Sequence, residues 1–302
     1  MLNFDDFRPV TLEDKELFDT HFRQYPQVHS DNSFTNIVCW NHYADYRYAM
    51  VKGSMVISST IAGETSFRGP IGPKNPKLLK DLLTLAIEKG GKTPYFVFDK
   101  EIKRQIEEQY PFIILHPDRN FFDYVYQVEE LANLKGKKYL NIRKQINKFK
   151  KNCEYTTEFI SPENISSLSE FIEKWCEWKH CDENPVMAEE KEATLFAVSH
   201  FFELDLKGII IRVDDKISSI AIFEILNPDT VVIHFEKGLP GCDGNYKVVN
   251  QETARMLLDK YLYINRESDL GVEGLREAKV RYHPDHFAEV HYTKKQEMNL
   301  SD

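Results

Sequence analysis

The stretch GIIIRVDDKISSIAIFEILNPDTVVIHFE, residues Gly208–Glu236, decides the fold. Gly208–Val213, Ser218–Leu226 and Thr230–Glu236 are short runs rich in Ile, Val and Phe. Asp214-Asp215 and Asn227-Pro-Asp229 punctuate them with residues that favour turns, so the stretch predicts three successive strands. Helical spacing follows over Tyr246–Tyr261, then a strand at Tyr263-Ile264. A strand, a helix and a second strand in this order return parallel and right-handed, so the strand ending at Glu236 and the one ending at Asn265 should finish at the same sheet edge. Alternation along the third strand predicts Val231, Ile233 and Phe235 on one face and Val232, His234 and Glu236 on the other.

The same order is visible upstream. Thr11-Leu-Glu-Asp14 reads as a capping box opening a helix, and a second helix is expected over Asp31–Tyr43. Tyr46–Val51 and Met55–Ile61 suggest a hairpin turning at Gly53. Pro70-Ile-Gly-Pro73 breaks the chain before a helix carrying Leu78, Leu79, Leu82, Leu83 and Ala86, which Gly90-Gly91 stops. Strands at Tyr95–Phe98, Phe112–Leu115 and Tyr124–Val128 and a helix over Lys100–Gln109 follow. The second half opens with helices over about 162–179 and 189–203. This weak internal repeat predicts an α/β chain with mixed sheets, in two domains of similar topology, 1–130 and 155–302. Residues 131–154 would join them. Within that joint, Lys135–Lys151 holds eight Lys/Arg and no acid, and Tyr139, Ile142, Ile146 and Phe149 recur at helical spacing. A basic amphipathic helix is expected, with Lys144, Lys148 and Lys151 in water.

At 302 residues the chain is long enough for two cores. Its net charge of −9 excludes a protein that coats nucleic acid through overall charge, while leaving room for a local basic site. The N-terminus has no signal-peptide pattern, no apolar run approaches the ~20 residues that cross a bilayer, and a cytoplasmic chain is expected. The scattered Cys39, Cys153, Cys176, Cys181 and Cys242 read as reduced thiols. Cys176 and Cys181 flank His180 at a spacing that matches no zinc template, and no metal is expected.

Chemistry is concentrated in three places. His234 and Glu236, two apart on a strand, could share a proton or bind a polar ligand; the Pro-Cys-x-x-Cys that a zinc deaminase would need is absent. Gly238-Leu-Pro-Gly241-Cys-Asp-Gly244 precedes a helix and could present amides to a phosphate, but its spacing is not the dinucleotide fingerprint and a plain turn is the better reading. The densest cluster is Asn265–Pro284, which holds Arg266, Glu267, Asp269, Glu273, Arg276, Glu277, Lys279, Arg281 and His283.

At this segment the sequence resembles the bacterial family of unknown function related to the C-terminal domain of phosphatidylglycerol lysyltransferase. The matching residues are Phe34-Thr-Asn-Ile37 with Trp40, Pro70-Ile-Gly72, Asp123-Tyr-Val-Tyr126, Leu134-Lys-Gly-Lys-Lys-Tyr139, Asn147-x-Phe149, His234-Phe-Glu-Lys237, Asn265-Arg-Glu-x-Asp-Leu-Gly-x-Glu-Gly-Leu-Arg276, Ala278-Lys279 and Tyr282-His-Pro284. The resemblance implies two tandem GNAT-like acyltransferase folds, similar in architecture to the Fem-type transferases. It implies an aminoacyl donor carried on tRNA and a lipid headgroup or other small acceptor. The loop Gly238–Gly244 lacks the Gln or Arg that opens the usual GNAT pyrophosphate loop.

Transfer of an ester-activated acyl group needs a base and groups that stabilise an oxyanion. The candidate catalytic residues are Glu236, Glu267, Asp269 and His234. The candidate substrate-binding residues are Arg266, Arg276, Lys279, Tyr282 and His283, with Arg276 able either to fork an anion or to pair with Glu267 or Asp269. Lys138, Arg143, Lys144 and Lys148 are the expected contacts to a tRNA backbone. Three functions stay open: aminoacyl transfer from aminoacyl-tRNA, N-acetyl transfer from acyl-CoA, and a non-catalytic module that binds a ligand or partner.

Overall fold

The computed structural model describes residues 2–300, which form two compact units. The first runs to Phe122 and takes back the chain from Ala288; the second is Asp123–Phe287. This division differs from the boundaries expected at 130 and 155. Asp123–Gln127, expected in the first half, pairs with Tyr263–Asn265 in the second sheet, and His291–Thr293 enters the first sheet between Tyr95–Val97 and His116–Pro117. Alternation and turn residues mark where a strand is, not which strand it pairs with.

Each unit holds a seven-stranded mixed sheet. In the first, Arg47–Val51, Ser54–Ile61 and Glu64–Ile71 form an antiparallel meander, helix Pro76–Lys89 follows, and Tyr95–Val97 returns parallel to Glu64–Ile71. In the second, Lys207–Val213, Lys216–Asn227 and Thr230–Gly238 form the meander, helix Asn245–Leu257 follows, and Tyr263–Asn265 returns parallel to Thr230–Gly238. The repeat read in the sequence is therefore a repeat of topology.

The elements form for local reasons. Asn75 accepts from the Leu78 amide at 3.0 Å, Pro76 occupies the first turn, and Leu78, Leu79, Leu82, Leu83 and Ala86 are buried against the first sheet. Asn184 caps Pro185–Ser199 in the same way. The basic helix is Leu140–Asn152. Its Ile142, Ile146 and Phe149, with Tyr139 just before, are buried in the core of the second unit, while Lys144, Lys148 and Lys151 are exposed as the spacing predicts. The helix belongs to that unit's core and is not a free joint.

The thiol reading is corrected. Cys153, just past the basic helix, is bonded to Cys242 in the glycine loop, and Cys176 is bonded to Cys181. His180, left-handed at the end of helix Ser166–Lys179, turns the chain so that Cys181 comes back beside Cys176, with Cα atoms 5.2 Å apart. Cys39 is free and buried. Among the described residues, no helix is long and apolar enough to cross a membrane.

Candidate functional site

The site lies where two parallel strands of the second unit part. Thr230–Gly238 pairs with Tyr263–Asn265 only as far as Val232 and Asn265. Beyond that point the first strand continues against Lys216–Asn227, while the second gives way to the polar segment Arg266–Gly271.

The strand carries a β-bulge at this point. Phe235 faces Ile222 and Ile233 faces Phe223, so His234 is an extra residue with no partner in the ladder. The bulge shifts the alternation by one. Glu236, opposite Ala221, comes onto the face that buries Ile233, Phe223 and Ala221, while Lys237 turns to the other face, to Glu190 and the Trp175 ring. The expected pairing of His234 and Glu236 on one face is therefore corrected.

His234 is buried between two carboxylates: Nδ1 is 2.9 Å from Glu267 and Nε2 is 2.8 Å from Glu224. Two acceptors facing both ring nitrogens require the doubly protonated imidazolium. Burial lowers its pKa, but the two carboxylates outweigh that and raise it to about 9. His234 is thus a fixed cation at neutral pH, not a proton acceptor. Glu267, with a positive φ of 56°, is held from below by Asn265, whose Oδ1 accepts from the Glu267 amide at 2.8 Å.

Arg266 and Glu236 form the second pair. Nη2 of Arg266 donates to both Glu236 oxygens, at 3.0 and 3.2 Å. Asn250 of helix Asn245–Leu257, with its carboxamide oxygen turned to suit its neighbours, accepts from Nη1 and Nε of Arg266, both at 3.1 Å. The guanidinium lies over the Tyr282 ring at 5.0 Å and near Tyr126 at 5.9 Å. Burial works against its charge, yet Glu236 more than compensates, and its pKa is raised.

The remaining candidates hold the loop in place. Asp269 is fully buried; it accepts from Nε and Nη2 of Arg276, both at 2.8 Å, from the Tyr124 hydroxyl at 2.5 Å and from the Gly271 amide at 2.9 Å. Of the two readings open for Arg276, the structure takes the ion pair. Lys279 is also buried, and its ammonium donates to the carbonyls of Arg266, Glu267 and Ser268 at 2.5–3.1 Å. Burial, then the Arg266 charge, bring its pKa down to about 8. Asp269, Arg276 and Lys279, among the candidates for catalysis and substrate binding, clamp the segment that presents Arg266 and Glu267.

Burial raises the Asp269 pKa, but Arg276, Tyr124 and Gly271 overcome this and hold it near 2, from an ordinary 3.8. A depressed carboxylate stabilises the fold above its unfolded pKa and loses that contribution as pH falls through the folded one. We expect Asp269→Asn to lower stability by about 2 kcal/mol at neutral pH and to flatten the acid limb between about pH 4 and pH 2. Urea denaturation across that range checks it, and an unchanged acid limb counts against the assignment.

Beside these pairs runs a groove of about 640 Å³. Lys138, Lys144, Lys247, Arg281, Tyr282 and His283 line it, and no carboxylate does. Of the four basic residues expected to meet a nucleic acid, Lys144 alone has no hydrogen-bond or ion-pair partner among the described residues. Lys138 binds Glu130 at 2.8 Å, Lys148 binds Asp243 at 2.6 Å, and Arg143 donates to the carbonyls of Leu134 and Gly136. Lys247, from the first turn of helix Asn245–Leu257, was not expected. Burial and the nearby Arg266 charge lower its pKa. In the glycine loop the Leu239 amide donates to Ser218, the Asn245 amide to Cys242, and the Lys247 and Val248 amides to Gly244, so the loop is a closed turn.

The sequence profile of the phosphatidylglycerol lysyltransferase C-terminal domain matches residues 22–293. The chain belongs to that family. A conserved protein of unknown function from Bacteroides thetaiotaomicron has 29% identity and a TM-score of 0.88, covering 95% of this chain and 98% of its own. L-PGS from Bacillus licheniformis has 11% identity and a TM-score of 0.61, covering 94% and 93%. FemX has 9% identity and a TM-score of 0.58, covering 96% and 98%. No curated protein matches in sequence. Each unit is a mixed α/β fold built on a seven-stranded sheet, and the chain shares its fold with FemX.

Proposed function

We propose that the second unit transfers an aminoacyl group from aminoacyl-tRNA to a lipid headgroup or other small acceptor. The observation that carries this reading is the basic groove, with no carboxylate in its lining among the described residues, whose wall residue Tyr282 carries Arg266, the partner of Glu236, over its ring. Lys138, Lys144, Lys247 and Arg281 would track the phosphates of the tRNA end. The acceptor amine or hydroxyl attacks the ester carbonyl carbon, and a new C–N or C–O bond forms as the carbonyl electrons move to oxygen. The ester C–O bond then breaks, and the ribose oxygen leaves. Glu236 takes the proton from the acceptor and returns it to that leaving oxygen. Arg266 holds Glu236 in position, and Lys247 is a donor for the oxyanion.

Binding should fall steeply with salt, roughly linearly in log–log form. Replacing Lys144 and Lys247 together by Ala should weaken tRNA binding at least tenfold and reduce the salt slope by about 2. Fluorescence anisotropy with labelled tRNA measures both. Salt-independent binding, or none, rejects the tRNA donor.

One observation favours a second reading. Glu236 is fully engaged by Arg266, as His234 is by its two carboxylates. A non-catalytic module would need no more than that. Release of free tRNA from charged tRNA on addition of candidate acceptors separates the two.

A further inference from the structure

The first unit has its own opening at the same place in its fold, where Glu64–Ile71 and Tyr95–Val97 end side by side. A cavity of about 300 Å³ lies there, lined among others by Gln27, Asn32, Pro70, Phe96 and Phe98. Phe67, Tyr95 and Val97 face the helix-covered core, so Arg68, which pairs with Phe96 in register, points to the opposite face with Phe96 and Phe98.

Arg68 is 7% exposed, and its guanidinium stacks near Phe98 at 5.6 Å and Tyr46 at 5.1 Å. Its Nη1 donates to the Asp31 carbonyl at 2.7 Å, while Nε and Nη2 make no hydrogen bond. No carboxylate lies within 4 Å of it among the described residues. Tyr46 supplies no counter-charge: burial raises its phenol pKa against the opposing pull of Arg68. Asn32, next to the carbonyl that Arg68 holds, is buried; its Nδ2 donates to Gln27 at 2.9 Å, but its Oδ1 accepts nothing.

A buried cation with no counter-charge is costly, and so is an orphaned acceptor. The chain itself shows what answers such a group. Arg276 uses the same Nε–Nη2 edge to grip both oxygens of Asp269, and Arg266, at the equivalent opening of the second unit, meets Glu236. We propose that the first unit binds an α-amino acid, its carboxylate on the Nε–Nη2 edge of Arg68 and its ammonium on Oδ1 of Asn32. A planar carboxylate fits that edge with two parallel hydrogen bonds, and the cavity has the volume of one amino acid. Arg68 is not itself on the cavity wall and its edge is closed to solvent, so binding requires Phe98 and Asn32, which line the cavity, to give way as the carboxylate enters. An aminoacyl ester has no free carboxylate. The ligand is therefore not the activated donor but an acceptor or an effector, and the proposal does not rest on the transfer reading.

The test is thermal denaturation of the full chain with glycine, L-alanine, L-glutamate or L-lysine, each beside its α-amide, and with acetate and inorganic phosphate. At about ten times its Kd, the preferred amino acid should raise Tm by about 3 °C. Its amide should not, and Arg68→Met should lose the shift. No shift with any of the four overturns the proposal, as does an equal shift from the amide, acetate or phosphate, or a shift that survives Arg68→Met. If that variant does not fold, Asn32→Leu carries the test. It removes the acceptor assigned to the ammonium and should weaken binding at least tenfold; unchanged binding overturns the proposal.

Discussion

Replacing His234 by Leu is expected to lower the stability of the second unit by about 3 kcal/mol near pH 6, because Glu224 and Glu267 would face each other without the buried cation between them. The pH dependence identifies the cause. His234 titrates near 9 in the fold against an ordinary 6.5. A raised pKa contributes stability fully below the unfolded value, and that contribution fades as pH rises through the folded one. Wild type should therefore lose about 3 kcal/mol between pH 6.5 and pH 9, while His234→Leu should show no such loss. Urea denaturation of both proteins at pH 6 and above pH 9 measures this. Parallel pH profiles for the two would mean that His234 is not the imidazolium described above.

The largest expected effect on activity concerns Glu236 and Arg266. If transfer from charged tRNA is detected, Glu236→Gln should reduce its rate by about 10²–10⁴, the range for loss of a positioned base. Arg266→Met should reduce it similarly, because it removes both the partner of Glu236 and the cation stacked on Tyr282. Neither change should alter tRNA affinity by more than about threefold, since the phosphate contacts are assigned to other residues. Full activity in both variants would falsify the assignment, and equal loss of binding and rate would point to a folding defect instead.

Much of the architecture was legible in the residues. The meander over 208–236, the following helix and the parallel return were marked by turn chemistry and periodicity, and so was the stripe Leu78–Ala86. The pairing of Asp123–Gln127 and the return of His291–Thr293 were not, because partner choice in a sheet depends on contacts distant in sequence. At the site, the sequence pointed to the segment that the fold brings to the sheet edge, but not to the partners its residues take there. A charged residue looks the same in a sequence whether it meets solvent, like Lys144, or a buried partner, like Arg276 with Asp269. The bulge at His234 leaves no trace in composition, yet it alone separates His234 from Glu236. Lys247 and Asn250 sit on a helix whose direction relative to the strand is set by packing, and nothing in their spacing marked them.

The insertion of His291–Thr293 between Tyr95–Val97 and His116–Pro117 in the first sheet has a consequence for how the protein is made. On the ribosome, the second unit is fully synthesised before the strand that links Tyr95–Val97 to His116–Pro117 exists. The nascent first unit must wait with those two strand edges unpaired, a state that favours aggregation. The later-made unit can therefore complete its own sheet before the earlier-made one does, reversing the usual order in which domains mature from the N-terminus.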